Sequence, residues 1–183
     1  LASADPNLQN QPVRSKDGKL IRKGFIASPG MRLGEGDYKQ IEMVVQAHMA
    51  NCKGLIELFN RGGDPHTETA AKFFGVPLDV AAQEKYRYPT KRGGFGIIYL
   101  IGAKGLSDQL SEYLSDLEAE GTPTDIEPWS EQDCQKFIDD YYRLYPEIKD
   151  YQLERAAEAR RFSRVCDMFG RTRFIPEVSS PIR

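Results

Sequence analysis

Residues 87–99 read RYPTKRGGFGIIY. Arg87, Lys91, Phe95 and Tyr99 recur every four residues, and each such step advances an α-helix by about 400°, a drift of only about 40°. The four side chains therefore share one slowly winding stripe of a single helix. Two cations stand at its N-terminal end and two aromatic rings lie farther along. Free N–H groups and the macrodipole favour anions at a helix N-terminus. The cations extend that end into a polyphosphate cradle, and a ring one or two turns on is placed to stack on a base or sugar. This is the layout of a nucleoside triphosphate. The same spacing also describes a surface helix with solvated cations and core aromatics, and spacing alone leaves both readings open. Pro89 fits only a first helical turn, which predicts a start close to Tyr88. Gly93 and Gly94 each cost a helix roughly 1 kcal/mol against Ala, and they admit a close approach to the backbone.

Upstream, residues 36–50 read GDYKQIEMVVQAHMA, a carboxylate closing a Gly-rich run and a second one inside an apolar run. Ile41, Val44, Val45 and His48 keep a helical period, which predicts a helix over 40–49 and makes His48 a core or supporting histidine. Residues 1–23 are polar, with Pro6, Pro12 and Gly18, and predict loop. GFIAS (24–28) and MRLGEGD (31–37) flank Pro29-Gly30 and predict a hairpin. A short helix ends on Gly62, Asp64-Pro65 is an N-cap with Pro at the first helical position, and Asp79 opens a further helix. Downstream come a helix over about 105–117, a loop at 118–130, and a helix through Tyr145 opened by a capping box of Ser130 and Asp133. Pro146 then starts a helix to about Ser163, and a hairpin turns on Phe169-Gly170. Mostly helices with a few strands make the fold class α+β.

A chain of 183 residues, 40% hydrophobic and 28% charged, has globular composition and room for one large domain or two small ones. No apolar run approaches a bilayer span, which argues against a membrane partner. There is no signal-peptide pattern, so a cytoplasmic location is expected, in a bacterial or phage-infected cell. The loop-like start LASADPNLQNQPVR, without Met, suggests a piece of something longer. The three cysteines, Cys52, Cys134 and Cys166, lack metal-type spacing and read as reduced thiols. Charge is segregated. Asp108–Asp140 holds eleven acidic residues against one base, a net of −10, so the remainder of a chain of net −2 carries +8. A basic body suits a polyanionic partner, and an acidic segment suits solvent or a protein.

Five collinear segments resemble family A (polymerase I-like) DNA polymerases. DYKQIE (37–42) is similar to the start of motif A, DYSQIELR. RYPTKRGGFGIIY is similar to motif B, with Arg87, Lys91, Phe95, Gly96 and Tyr99 in place. DPNLQNQPVR (5–14) resembles DPNLQNIPVR, DPHTETAAKFFG (64–75) resembles DIHRATAAEVFG, and FGRTRFIP (169–176) resembles DGRRLYLP. Together they cover nearly the whole chain. The resemblance implies a right-hand polymerase: a partial palm with motif A over 1–50, mostly helical fingers over 51–164 with an acidic insertion near 112–129, and a hairpin returning towards the palm over 165–183.

The resemblance also implies roles. Asp37 is the catalytic carboxylate that binds two Mg2+ ions, with the Tyr38 backbone carbonyl supplying another oxygen. Gln40, Glu42, His66, Arg87, Lys91 and Phe95 bind the incoming deoxynucleoside triphosphate. Within that set Glu42 is the steric gate against a ribose 2′-hydroxyl, His66 touches the triphosphate, Arg87 its outer phosphate and Lys91 the inner ones. Tyr99 stacks at the templating position, and Asn7, Gln9, Asn10 and Arg14 hold the primer–template. Lys39, Val44, Gly94 and Leu100 depart from the family pattern, where Ser, Arg, Asn and Gly are usual, and point to a divergent, phage-like branch. Leu100 puts the hinge behind Tyr99 in question. No His-Asp-Glu motif C is present, since neither His48 nor His66 is followed by Asp. A lone carboxylate holds magnesium weakly, so the chain by itself is expected to be inactive, with motif C and the thumb on a missing part of the chain or on another chain. The alternative is a non-catalytic nucleotide- or DNA-binding module derived from polymerase fingers.

Overall fold

The computed structural model describes residues 16–34, 36 and 38–175, in two compact units that divide between Lys39 and Gln40. In the first, Lys16–Lys23 forms helix α1, where the sequence predicts loop. One internal Gly costs a helix only about 1 kcal/mol, and the Lys, Leu, Ile and Arg around Gly18 are adequate helix formers, so polarity was a poor guide. The Ser28–Met31 turn is present. Met31 N–H donates to the Ser28 carbonyl at 2.9 Å, and Gly30 takes φ 81° behind Pro29, the pattern of a type II turn. Its flanks do not pair as strands among the described residues, which corrects the expected hairpin. Phe25, Ile26, Met31 and Leu33 stay exposed, and a hairpin with no buried face is marginal in water.

The second unit is helical. Helix α2 spans Ile41–Met49, α3 Lys53–Asn60, α4 Pro65–Phe74, α5 Leu78–Ala81 and α6 Glu84–Ile98. Helix α7 spans Ala103–Ala119, α8 Glu131–Leu144 and α9 Pro146–Phe162, before strands β1 (Arg164–Cys166) and β2 (Thr172–Phe174). The strands pair antiparallel, with Val165 opposite Arg173. Helix α6 is central and packs against α2, α4, α5, α7 and α8. Its buried side meets the aromatic core through a glycine: a Cβ at Gly93 would lie 2.3 Å from Phe137 Cε1. Around that contact Phe73, Trp129, Phe137 and Tyr141 pack ring against ring, and Tyr88 stacks on Tyr113 at 3.9 Å. Burying each large side chain contributes about 1.5–3 kcal/mol, so this α6–α8 seam anchors the unit.

Two helices differ from expectation in informative ways. In α2 the buried face is Met43, Gln46 and Ala47, while Ile41, Val44, Val45 and His48 are exposed. Positions 41/44/45/48 and 43/46/47/50 both carry a helical period. The second set has small alanines, and Cys52 N–H reaches the Ala47 carbonyl at 2.9 Å as the chain turns into α3. His48 is therefore not a core residue. Helix α6 starts at Glu84, a turn earlier than Pro89 predicts, with Pro89 inside it and buried. A proline there removes one backbone bond, a cost of about 3 kcal/mol. The buried run from Tyr88 to Thr90 offsets it, and Thr90 Oγ1 bonds back to the Tyr86 carbonyl at 2.8 Å.

Asp79 lies inside the first turn of α5, which follows Pro77 rather than opening on the aspartate, while the α7–α9 helices and the closing hairpin lie close to where the sequence predicts them. Both bonds of the Ser130–Asp133 capping box are made. Helices α7 and α8 pair around Leu106, Leu110, Phe137 and Tyr141 and leave most of their acids outside, two of them held by Lys104–Asp108 and Lys136–Asp140 ion pairs. Burial pushes the Cys52 and Cys134 thiols up to about 11, while Cys166 is exposed. Among the described residues no helix is long and apolar enough to cross a membrane.

Candidate nucleotide-binding site

Helix α6 carries the four-residue stripe. Arg87 is half-buried, Lys91 is exposed with its ammonium 6.0 Å from the Phe95 ring centroid, and Phe95 is half-buried. Tyr99 caps the helix C-terminus and is 73% exposed. Because the helix begins at Glu84, its unpaired N–H groups lie upstream of Arg87, whose own N–H already donates to the Gln83 carbonyl at 2.9 Å. The cradle is therefore made of side chains rather than of the helix end.

The partner of that stripe is the N-terminus of α4. Asp64 caps it through the Thr67 N–H, with Pro65 in the first turn. His66 follows, almost fully buried, its ring centroid 5.4 Å from that of Phe95. Burial, opposed by Asp64 and reinforced by Arg87 and Lys91, lowers the His66 pKa to about 4. The ring is thus neutral near pH 7, and its Nε2 has no hydrogen-bond partner. Asp64 does more than cap. It accepts from Arg87 Nε at 2.8 Å and Nη2 at 3.3 Å, from Gln40 Nε2 at 2.6 Å and from Thr67 Oγ1 at 2.6 Å. Burial works against its charge, but the bonds from Arg87, Thr67 and Gln40 outweigh that and hold the carboxyl well below the usual range. Gln40 reaches it from a left-handed conformation, φ 56°, at the N-cap of α2.

The structure thus brings together Gln40, His66, Arg87, Lys91 and Phe95, five residues from three elements. Glu42 makes none of the Asp64 bonds and is exposed in the first turn of α2. It lines a groove of about 390 Å³ with Gln46 and Met49 of α2, Ile98 of α6, and Tyr151 and Gln152 of α9. Tyr38 belongs to the preceding unit and is exposed. Asp37, Asn7, Gln9, Asn10 and Arg14 lie outside the described residues. Among the described residues no group of three or more His, Cys, Asp or Glu could hold a metal ion, so they do not by themselves make up a magnesium site. Two residues escaped sequence reading. Asp64 was visible only as a helix cap. Gln152, whose amide donates to the Ile97 carbonyl at 2.8 Å, lies 55 residues away in sequence and gave no signal.

Comparison with known proteins gives the family of the chain. The family model for DNA polymerase family A matches residues 1–183. The chain is 40% identical over 180 residues to DNA polymerase I of Rhizobium leguminosarum, covering 98% of this chain and 16% of that protein. It is 36% identical over 180 residues to DNA polymerase I of Pseudomonas aeruginosa (98% and 18%). It is 37% identical over 183 residues to the thermostable DNA polymerase I of Thermus aquaticus (100% and 20%). The chain therefore spans a fifth or less of these relatives. Among solved structures it matches the POL domain of Pol1 from M. smegmatis, in complex with DNA primer-template and dNTP, with a TM-score of 0.76 and 32% identity, covering 100% of this chain and 29% of that one. Enzymes of this family are generally magnesium-dependent. With the family match running from end to end, the chain belongs to DNA polymerase family A.

Proposed function

We propose that this chain is the nucleotide-binding part of a template-directed DNA polymerase: it binds an incoming deoxynucleoside triphosphate and contributes to holding the primer–template. One observation carries the reading, the convergence of Arg87, Lys91, His66 and Phe95 where α4 and α6 meet. Arg87 and Lys91 supply charge-assisted contacts to phosphate oxygens. His66 is neutral, so it adds no charge. Its orphaned Nε2 is the polar atom that a phosphate oxygen would satisfy once the covering side chains give way. Phe95 offers a flat apolar face to the nucleotide, and exposed Tyr99, farther along the helix, a ring for the templating base. Glu42 guards the sugar. Asn7, Gln9, Asn10 and Arg14 are assigned to the primer–template backbone and minor groove by their motif. Two-magnesium chemistry needs a carboxylate cluster, and the described residues hold none. The part proposed for this chain is accordingly binding and selection of the nucleotide, with Asp37 its contribution to the metal site of the complete enzyme.

The test is calorimetric titration of the chain with dATP and with deoxyadenosine. Triphosphate binding should be weak and salt-sensitive, and the nucleoside should bind far less. Each charge-assisted contact is worth roughly 1.5–3 kcal/mol, so Lys91→Ala should weaken dATP binding about tenfold or more. Equal affinity for nucleoside and triphosphate would return Arg87 and Lys91 to the role of solvated surface cations.

A further inference from the structure

We propose that Asp64 is a positioning residue that holds Arg87 and Gln40 ready for the triphosphate, an inference that rests on the nucleotide site proposed above. A capping carboxylate needs only the Thr67 N–H, which it accepts at 3.2 Å. Asp64 receives four further bonds, from the Thr67 hydroxyl, from two nitrogens of Arg87 and from the Gln40 amide. An ionised carboxylate has about four lone-pair sites, so its acceptor capacity is filled. These bonds join three elements: the start of α2, the N-terminus of α4 and the first turn of α6.

The geometry of the Arg87 pair explains why an acid stands there. Asp64 grips the Nε and Nη2 edge of the guanidinium, which leaves the Nη1 donors of the fork free for a phosphate. Arg87 remains about a third exposed, so its free edge is reachable. An arginine already fixed along one edge loses less side-chain freedom when an anion arrives, and a pre-organised contact is a stronger one. The same carboxylate aligns Gln40, two residues ahead of Glu42, and so registers the start of α2 against the cationic helix. Asn or Ser caps a helix about as well as Asp, but neither accepts both guanidinium bonds with a full negative charge. The site therefore calls for Asp where the helix alone does not.

The experiment is a double-mutant cycle on the chain, read by dATP titration at low salt with melting temperature as the fold control. Asp64→Asn keeps the cap, and Asp64→Ser serves if Asn disturbs folding. In the wild-type background either should weaken dATP binding about tenfold. In an Arg87→Ala background the same change should cost much less than tenfold, because the main residue through which Asp64 acts is gone and only its bond to Gln40 remains. Unchanged or tighter binding by Asp64→Asn overturns the inference, as does an equal loss in both backgrounds, which would mark a structural effect. If Arg87→Ala leaves dATP affinity intact, or the wild-type chain binds no dATP, the nucleotide site itself fails and this inference falls with it. That outcome is distinguishable because it shows before Asp64 is changed.

Discussion

Leu100 sits at φ 59°, in the left-handed region, directly behind Tyr99. For a residue with a Cβ that conformation costs roughly 1–2 kcal/mol. Its side chain is 65% exposed and has little packing to lose. Leu100→Gly should therefore stabilise the chain by about 0.5–1 kcal/mol after the extra freedom of the unfolded glycine is deducted, roughly 2 °C in melting temperature; a lower melting temperature would show that Leu100 packs more than its exposure indicates. Glu42 belongs to the same scale. It lines the groove between α2, α6 and α9, and in the complete polymerase a ribose 2′-hydroxyl beside it would crowd and desolvate the carboxylate. Glu42→Ala should raise ribonucleotide use relative to deoxyribonucleotide by roughly a hundredfold or more. The measurement is kcat/KM for both sugars, and a ratio that does not move would make Glu42 a structural residue. Sequence motifs named Glu42, Arg87, Lys91, Phe95 and His66, because their spacing is local. They gave no hint that Asp64 joins Gln40 to Arg87, since those bonds span 24 and 23 residues.

Helix α6 shows what a pattern can and cannot place. Its four-residue stripe was legible. Its start was not, because Pro89 is tolerated inside the helix by packing that only the folded chain reveals. Gly93 was read correctly as a point of close approach, but the approaching group, Phe137 of α8, lies 44 positions on. In an open helix Gly→Ala gains about 1 kcal/mol. Here the added carbon would meet a ring at 2.3 Å, and overpacking of that kind costs about 1–3 kcal/mol or more. Gly93→Ala should accordingly destabilise the chain by about 2–3 kcal/mol in urea unfolding, and Phe137→Leu in the same chain should restore part of the loss. A stabilised Gly93→Ala would mean that α6 and α8 are free to separate. The buried face of α2 was misassigned for a related reason: two residue sets share one period, and the choice between them belongs to α3 and α6.

At the scale of the whole molecule, stability should depend on acid in two separable steps. His66 has its folded pKa lowered to about 4 from an ordinary value of 6.5, so the unfolded chain binds the proton first. Its contribution is present above about pH 6.5 and is lost as pH falls towards about 4, by up to about 3 kcal/mol. Asp64 is also depressed, and its contribution is lost at lower pH, from the ordinary carboxylate range downwards. Urea unfolding followed from pH 7 to pH 4 should show the first loss, and His66→Gln should flatten it. An unchanged slope in that variant would assign the loss to other groups. The helical character of the second unit was legible from periodicity and caps. The behaviour of the first was not: Phe25, Ile26, Met31 and Leu33 resemble strand residues, yet all four are exposed and offer no buried face to hold a ladder.

The unequal burial of the three thiols has a practical consequence. Cys52 and Cys134 lie in the core with pKa values near 11, and Cys166 is exposed on the terminal hairpin. A thiolate-seeking dye at neutral pH should therefore count one cysteine in the native chain and three in the unfolded one. The rate at which the second and third labels appear would act as a clock for opening of the helical unit, with no engineered probe required. Simultaneous labelling of all three would mean that the core breathes faster than the dye reacts.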